Sequence, residues 1–190
     1  EQWTPRMVWG VEDIVMCPGK EDMFNFLEDI VREVVPLFPG KYFHIGGDEC
    51  PKTSWKNCPT CQKRIEAEGL QADGKHSAEE RLQSYVIKRM EKMLAKYDRK
   101  IIGWDEILEG GLSPDATVMS WRGTSGGISA ALQKHDVIMT PGSGGLYLDH
   151  YQGDYKIEPV TIPSAPAYLS RTYNYEPVPD TIKSLGLEKH

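Results

Sequence analysis

Two adjacent carboxylates, Asp48 and Glu49, follow the short run Lys41-Tyr42-Phe43-His44-Ile45-Gly46-Gly47. An apolar stretch that stops at two glycines reads as a strand ending in a sharp turn. An acid held there sits on a rigid support, where a pocket can tune its affinity for a proton and fit it for acid or base chemistry. A second block, Lys100-Ile101-Ile102-Gly103-Trp104-Asp105-Glu106, repeats the arrangement, and a third ends at Ser120-Trp121-Arg122-Gly123. Carboxylates and tryptophans that recur at strand ends are the ingredients of an active-site rim that holds a sugar.

These side chains need elements to position them. The first twenty residues contain Pro5, Gly10, Pro18 and Gly19 and read as a long loop. Met23, Phe26, Leu27, Ile30, Val31, Val34 and Val35 then recur at helical spacing, closed by Pro36. A strand over 41–46 comes next, and then a polar, cysteine-bearing excursion from Pro51 to Lys75. The spacing predicts a second helix over about 78–96, with Leu82, Tyr85, Val86, Met90, Met93 and Leu94 along one side. Strands are expected over 100–105, 117–121 and 136–140, with a small helix over 126–134. A glycine-rich loop over 141–145 precedes Tyr147, Asp149, His150 and Tyr151. It lacks the Lys-Ser/Thr that a phosphate-binding loop requires.

Strands separated by helical crossovers make a parallel α/β pattern. A doubly wound sheet binds ligand at one switch point, whereas a β/α barrel collects functional groups at the ends of many strands. Functional residues at four consecutive strand ends therefore favour a (β/α)8 TIM barrel. Only about half of its strands are present, so the chain is expected to be a partial barrel domain spanning 1–190.

Composition narrows the function classes. The 190 residues carry 28 acidic and 22 basic side chains, a formal charge of -6. No basic cluster interleaved with aromatics marks a nucleic-acid surface. No apolar run is long enough for a membrane span. Four cysteines, Cys17, Cys50, Cys58 and Cys61, include the motif Cys58-Pro59-Thr60-Cys61. They leave three readings open: a four-thiolate zinc site, local disulfides, or buried thiols. A thioredoxin-like role is disfavoured, because no strand is predicted to feed a helix opened by this motif. No metal is assigned to the catalytic chemistry, and no cofactor is called for.

The motifs resemble those of the glycoside hydrolase family 20 β-N-acetylhexosaminidases. His44-Ile45-Gly46-Gly47-Asp48-Glu49 is similar to that family's signature at the end of barrel strand four. Gly103-Trp104-Asp105-Glu106 resembles strand five, Ser120-Trp121-Arg122-Gly123 strand six, and Tyr147-Leu148-Asp149 the loop after strand seven. The likeness covers nearly the whole chain, with the blocks in the family's order, and implies that about strands four to seven are present.

The resemblance implies retaining, substrate-assisted hydrolysis of terminal β-linked N-acetylglucosamine or N-acetylgalactosamine from glycans. In such enzymes the sugar's own acetamido oxygen, not a protein carboxylate, attacks the anomeric carbon. Glu49 takes the role of general acid and then base, Asp48 orients the acetamido N–H, and Tyr147 donates to the acetamido oxygen. Trp104 and Trp121 wall the pocket around the methyl group, Asp149 orients neighbours or binds a hydroxyl, and His44 supports the carboxylates. The remaining barrel segments of the full-length protein are implied as partners, since the family's sugar-clamping arginine falls upstream and its strand-eight groups fall beyond His190. A periplasmic, cell-surface or secreted location is the family-level expectation. Two readings from other classes stay open: a catalytically inactive binder of amino-sugar glycans, and a structural or metal-binding module built on the cysteines. For Asp105 and Glu106, a helix cap or surface acid is an alternative to a place in the site.

Overall fold

The computed structural model describes residues 7–8, 10–144, 146, 151–159 and 166–188. Tyr147 and Asp149 lie outside the described residues. Four strands form one parallel sheet in the order β1 (Tyr42–His44), β2 (Lys100–Trp104), β3 (Thr117–Ser120), β4 (Val137–Met139). His44 sits opposite Ile102, Trp104 opposite Met119, and Ser120 opposite Met139. Each strand lies beside the next in sequence and the order never reverses. That is the wall of a β/α barrel and not a doubly wound sheet.

Backbone pairing between β1 and β2 runs from the Lys41 carbonyl to the Gly46 carbonyl, which accepts from Trp104 N–H at 2.9 Å. The ladder thus covers the span expected from sequence, although regular strand geometry is confined to three residues.

Three helices cover the outer face of the sheet. In α1 (Glu21–Val34), Met23, Phe24 and Val31 are buried. Phe26 and Ile30, expected on the same face, are exposed together with Leu37 and Phe38. The helix carries two apolar stripes, and only one meets the rest of the described chain. The two short helices α2 (Thr53–Asn57) and α3 (Pro59–Ala67) lie within the excursion, and Cys58 is the N-cap of α3. The Cys-Pro-Thr-Cys motif therefore does open a helix, but the element before it is α2 and not a strand.

The long helix α4 (Ala78–Ala95) packs Ile87, Met90, Met93 and Leu94 against Ile101 and Val118 of the sheet. Its start is set by a reciprocal cap: the Ser77 side chain accepts from Glu80 N–H, and the Glu80 carboxylate accepts from Ser77 N–H. Two buried polar residues of α4 reach the sheet's upper rim. Gln83 Nε2 donates to the Glu106 carbonyl at 2.9 Å, and Ser84 Oγ donates to the Gly111 carbonyl. The helix α5 (Ser125–Leu132) buries Gly127, Ala130 and Ala131 against β3 and β4. Beyond β4, α6 (Leu169–Tyr173) and α7 (Asp180–Ser184) are single turns or little more.

Ser77→Ala removes half of the α4 cap and is expected to destabilise the protein by about 1 kcal/mol. Denaturant unfolding against the unaltered protein measures this, and an unchanged midpoint would refute the cap's contribution.

Candidate active site

The double glycine is required by the backbone. Gly46 and Gly47 have φ of 72° and 95°, in the region that side chains disfavour. Gly47 also sits where a Cβ would come within 2.6 Å of Ile107 Cγ2. The turn delivers Asp48 and Glu49 to the carboxyl end of β1, where both are exposed. Glu49 itself has φ of 43°, an uncommon conformation for a residue with a side chain. Strained backbone of this kind gathers at functional sites, where the surrounding structure enforces it.

His44 lies beneath this turn. Its Nδ1 accepts from Gly46 N–H at 3.1 Å, which leaves the proton of the neutral ring on Nε2. The ring meets Trp104 edge-on at 4.7 Å between centroids, and Trp104 meets Trp121 edge-on at 6.3 Å. Although His44 keeps an accessible edge, loss of solvent around the ring lowers its pKa, against the opposing pull of the Asp48 charge.

The ends of β2 and β3 are joined by a buried carboxylate. Asp105 is 2% exposed, and its Oδ2 accepts from Trp121 N–H at 3.0 Å and Arg122 N–H at 3.2 Å. Its Oδ1 accepts from Arg122 Nε. Next to it, Glu106 Oε2 accepts from the Trp121 indole N–H at 2.9 Å. Burial pushes the Glu106 carboxyl up, and the Trp121 hydrogen bond pulls partly back. The surface-acid alternative for Asp105 and Glu106 is thereby ruled out: both are buried and hydrogen-bonded at the strand ends. The cap alternative fails as well, because the N-cap of the turn Asp105–Leu108 is Trp104.

The charges continue outward. Arg122 approaches Glu109 at 3.8 Å, and Glu109 pairs with Lys52 at 3.0 Å. Glu49, Glu106, Glu109, Trp121, Arg122 and Lys52 line one open cleft. The structure therefore brings together five residues singled out from sequence: His44, Asp48, Glu49, Trp104 and Trp121. Arg122, Glu106, Glu109 and Lys52 are additional members. Arg122 sat in plain view within the third block, whereas Lys52 and Glu109 carried no local signal.

The four-thiolate arrangement does not form. Cys17, Cys58 and Cys61 converge, while Cys50 lies apart, with the Pro51 carbonyl 4.0 Å from its sulfur. Cys50 directly succeeds the Glu49 turn, and its backbone is directed to the Lys52 side of the loop by the bond from Lys52 Nζ to its carbonyl.

A parallel β/α-barrel wall with acids and tryptophans gathered at its carboxyl face defines a barrel enzyme's catalytic scaffold. The comparisons with known proteins specify which. Residues 1–190 match the glycosyl hydrolase family 20 catalytic domain, and the chain belongs to that family. It is 58% identical to a beta-hexosaminidase of Porphyromonas gingivalis over 189 residues, 100% of this chain and 23% of that protein. It is 33% identical to a beta-hexosaminidase of Vibrio furnissii, over 94% of this chain and 28% of the relative. The crystal structure of a GH20 exo beta-N-acetylglucosaminidase from Vibrio harveyi, in complex with N-acetylglucosamine, superposes with a TM-score of 0.74 at 30% identity. That match covers 87% of this chain and 25% of the other. The chain thus spans about a quarter of the length of these relatives, and its four strands are part of a (β/α)8 barrel.

This geometry has two measurable consequences. Asp105→Ala leaves the Trp121 and Arg122 N–H groups without their acceptor and removes the nearest carboxylate from the Arg122 guanidinium, so stability should fall by about 2 kcal/mol. Chemical denaturation measures it, and a change within error would contradict the pinning role. The lowered His44 pKa means the unfolded chain binds a proton that the folded one resists. Stability should therefore be complete above the ordinary value of 6.5 and fall as pH drops through it toward the folded value. Thermal unfolding across this range should show that decline weakened in His44→Gln.

Proposed function

We propose that the protein hydrolyses terminal, non-reducing β-linked N-acetyl-D-hexosamine residues from glycans by retaining, substrate-assisted catalysis. In this reading β1 to β4 are barrel strands four to seven. The remaining barrel segments of the full-length protein close the sheet's open edges and complete the sugar pocket. The observation that carries the proposal is the cleft at the carboxyl face, which Glu49 lines together with Trp121 and Glu106.

Glu49 donates its proton to the glycosidic oxygen as the bond to the anomeric carbon breaks. The acetamido oxygen of the same sugar forms the new bond to that carbon, giving a cyclic oxazolinium ion and a free alcohol. Glu49, now a carboxylate, takes a proton from water, and that water opens the ring from the opposite face. Two inversions at one carbon give net retention. Asp48 accepts from the acetamido N–H, which fixes the group for attack and balances the positive charge that develops on it. Tyr147 donates to the acetamido oxygen, and Asp149 binds a hydroxyl or orients its neighbours.

Trp104 and Trp121 pack against the sugar and exclude water from the reacting centre. Their orientation is supported by the edge contact of His44 with Trp104 and by the hydrogen bond from Trp121 to Glu106. His44 thus acts on the site through Trp104 and the Gly46 turn. No cofactor enters these steps. Amino-sugar glycans are chiefly surface and extracellular polymers, which supports a periplasmic, cell-surface or secreted location for the whole protein.

The test is hydrolysis of a chromogenic β-N-acetylglucosaminide by the full-length protein, alongside Glu49→Gln and the matching β-glucoside without an acetamide. The expected result is turnover of the first substrate only, reduced in Glu49→Gln by about 10²–10⁴-fold. Equal turnover of the two substrates would contradict acetamide participation. No turnover by the folded protein would favour a glycan-binding relative.

A further inference from the structure

Cys17, Cys58 and Cys61 sit together outside the proposed catalytic cleft, with their three sulfurs all within 4.8 Å of one another. Cys17 Sγ is 3.6 Å from Cys58 Sγ and 3.4 Å from Cys61 Sγ. A tetrahedral zinc ion with Zn–S bonds of about 2.3 Å separates its sulfurs by about 3.8 Å. These spacings therefore fit three corners of one coordination sphere. A disulfide would join two of the sulfurs and leave the third thiol packed against it.

The backbone brings the sulfurs together by a close approach that is specific. A Cβ at Gly19 would come within 2.4 Å of the Thr60 carbonyl carbon and 2.6 Å of Cys61 N. Only glycine lets the Cys17–Lys20 turn lie on the first turn of α3.

We propose that Cys17, Cys58 and Cys61 bind one zinc ion through three thiolates, with water in the fourth position. Binding forms three Zn–S bonds and releases the protons of those thiols that were protonated. The ion's place in the fold gives it a structural role. It clamps the segment before α1 to α3, in a cluster with Trp55, Ile65 and Leu82. The segment before α1 is also joined to α2, by Trp55 Nε1 donating to the Met16 carbonyl at 2.9 Å and by Ser54 Oγ donating to the Asp13 carbonyl. Both contacts stand within a few residues of the Asp48–Glu49 turn. The clamp thus fixes the far side of the loop that begins with the candidate acid. The inference stands independently of the hydrolase reading, because its readouts are metal content and stability.

The experiment uses the full-length protein, purified under reducing conditions without chelator and reconstituted with zinc. Inductively coupled plasma mass spectrometry should show zinc that falls by about one ion per chain in Cys58→Ser and in Cys17→Ser. Cys50→Ser should retain it. Replacement by cobalt(II) should give an intense sulfur-to-metal charge-transfer band in the unaltered protein and in Cys50→Ser only. Chelator should lower the melting temperature of these two and leave Cys58→Ser unaffected. Cys58 and Cys17 are only partly buried, so their variants guard against misfolding on loss of the buried Cys61. Zinc content that is the same in Cys58→Ser as in the unaltered protein would overturn the proposal. So would a disulfide between any two of the three in peptide mapping of the protein as purified without reductant from its native source.

Discussion

The buried carboxylate of Asp105 holds the upper rim of the sheet in one geometry. It accepts two backbone N–H groups and the guanidinium of Arg122, all from the chain that leaves β3. A charge so deeply buried is tolerated only with partners of this kind. Because Asp105 is rigidly placed at the end of β2, the chain after β3 must turn over it. That turn sets Trp121 beside Trp104 and brings its indole N–H to Glu106. The place of Trp121 in the aromatic wall and of Arg122 in the charged rim thus follows from one satisfied carboxylate.

The acid-bearing turn is fixed from the other side. Gly46 stays in the β1–β2 ladder through its carbonyl, so the departure from the sheet is abrupt. Gly47 presses on Ile107, and Glu49 adopts a backbone conformation that a free chain would avoid. The chain just beyond Glu49 is anchored at once by Lys52, which reaches both the Cys50 carbonyl and Glu109, and then by Trp55. A flexible loop would lose entropy each time it placed Glu49 against a substrate. A loop held at both ends has lost that freedom on folding.

The parts of this arrangement that were legible in the sequence are those written in short-range patterns. Apolar runs ending in glycine marked β1 and β2, and helical spacing marked α4. The carboxylates and tryptophans at strand ends could be picked out because the pattern repeats. Asp105 could not be separated from a surface acid, because its partners lie 16 and 17 positions away and no local signal records them. α2 and α3 were hidden by their brevity and polarity. The two apolar stripes of α1 merged into one in the periodicity, since spacing alone does not say which stripe meets the sheet. The cysteines gave composition but not grouping: Cys17 joins the Cys58–Cys61 pair across a distance in sequence that only the approach at Gly19 makes short.

The central claim is that the sugar's own acetamide, and not a protein carboxylate, attacks the anomeric carbon while Glu49 moves the proton. The most direct measurement is kcat/KM of the full-length protein for aryl β-glycosides whose N-acetyl group carries zero, one, two or three fluorines. Fluorine withdraws electrons from the acetamido oxygen with little change in size. The account predicts a steep, monotonic fall across the series, because the attacking atom itself is being weakened. A flat series would contradict it.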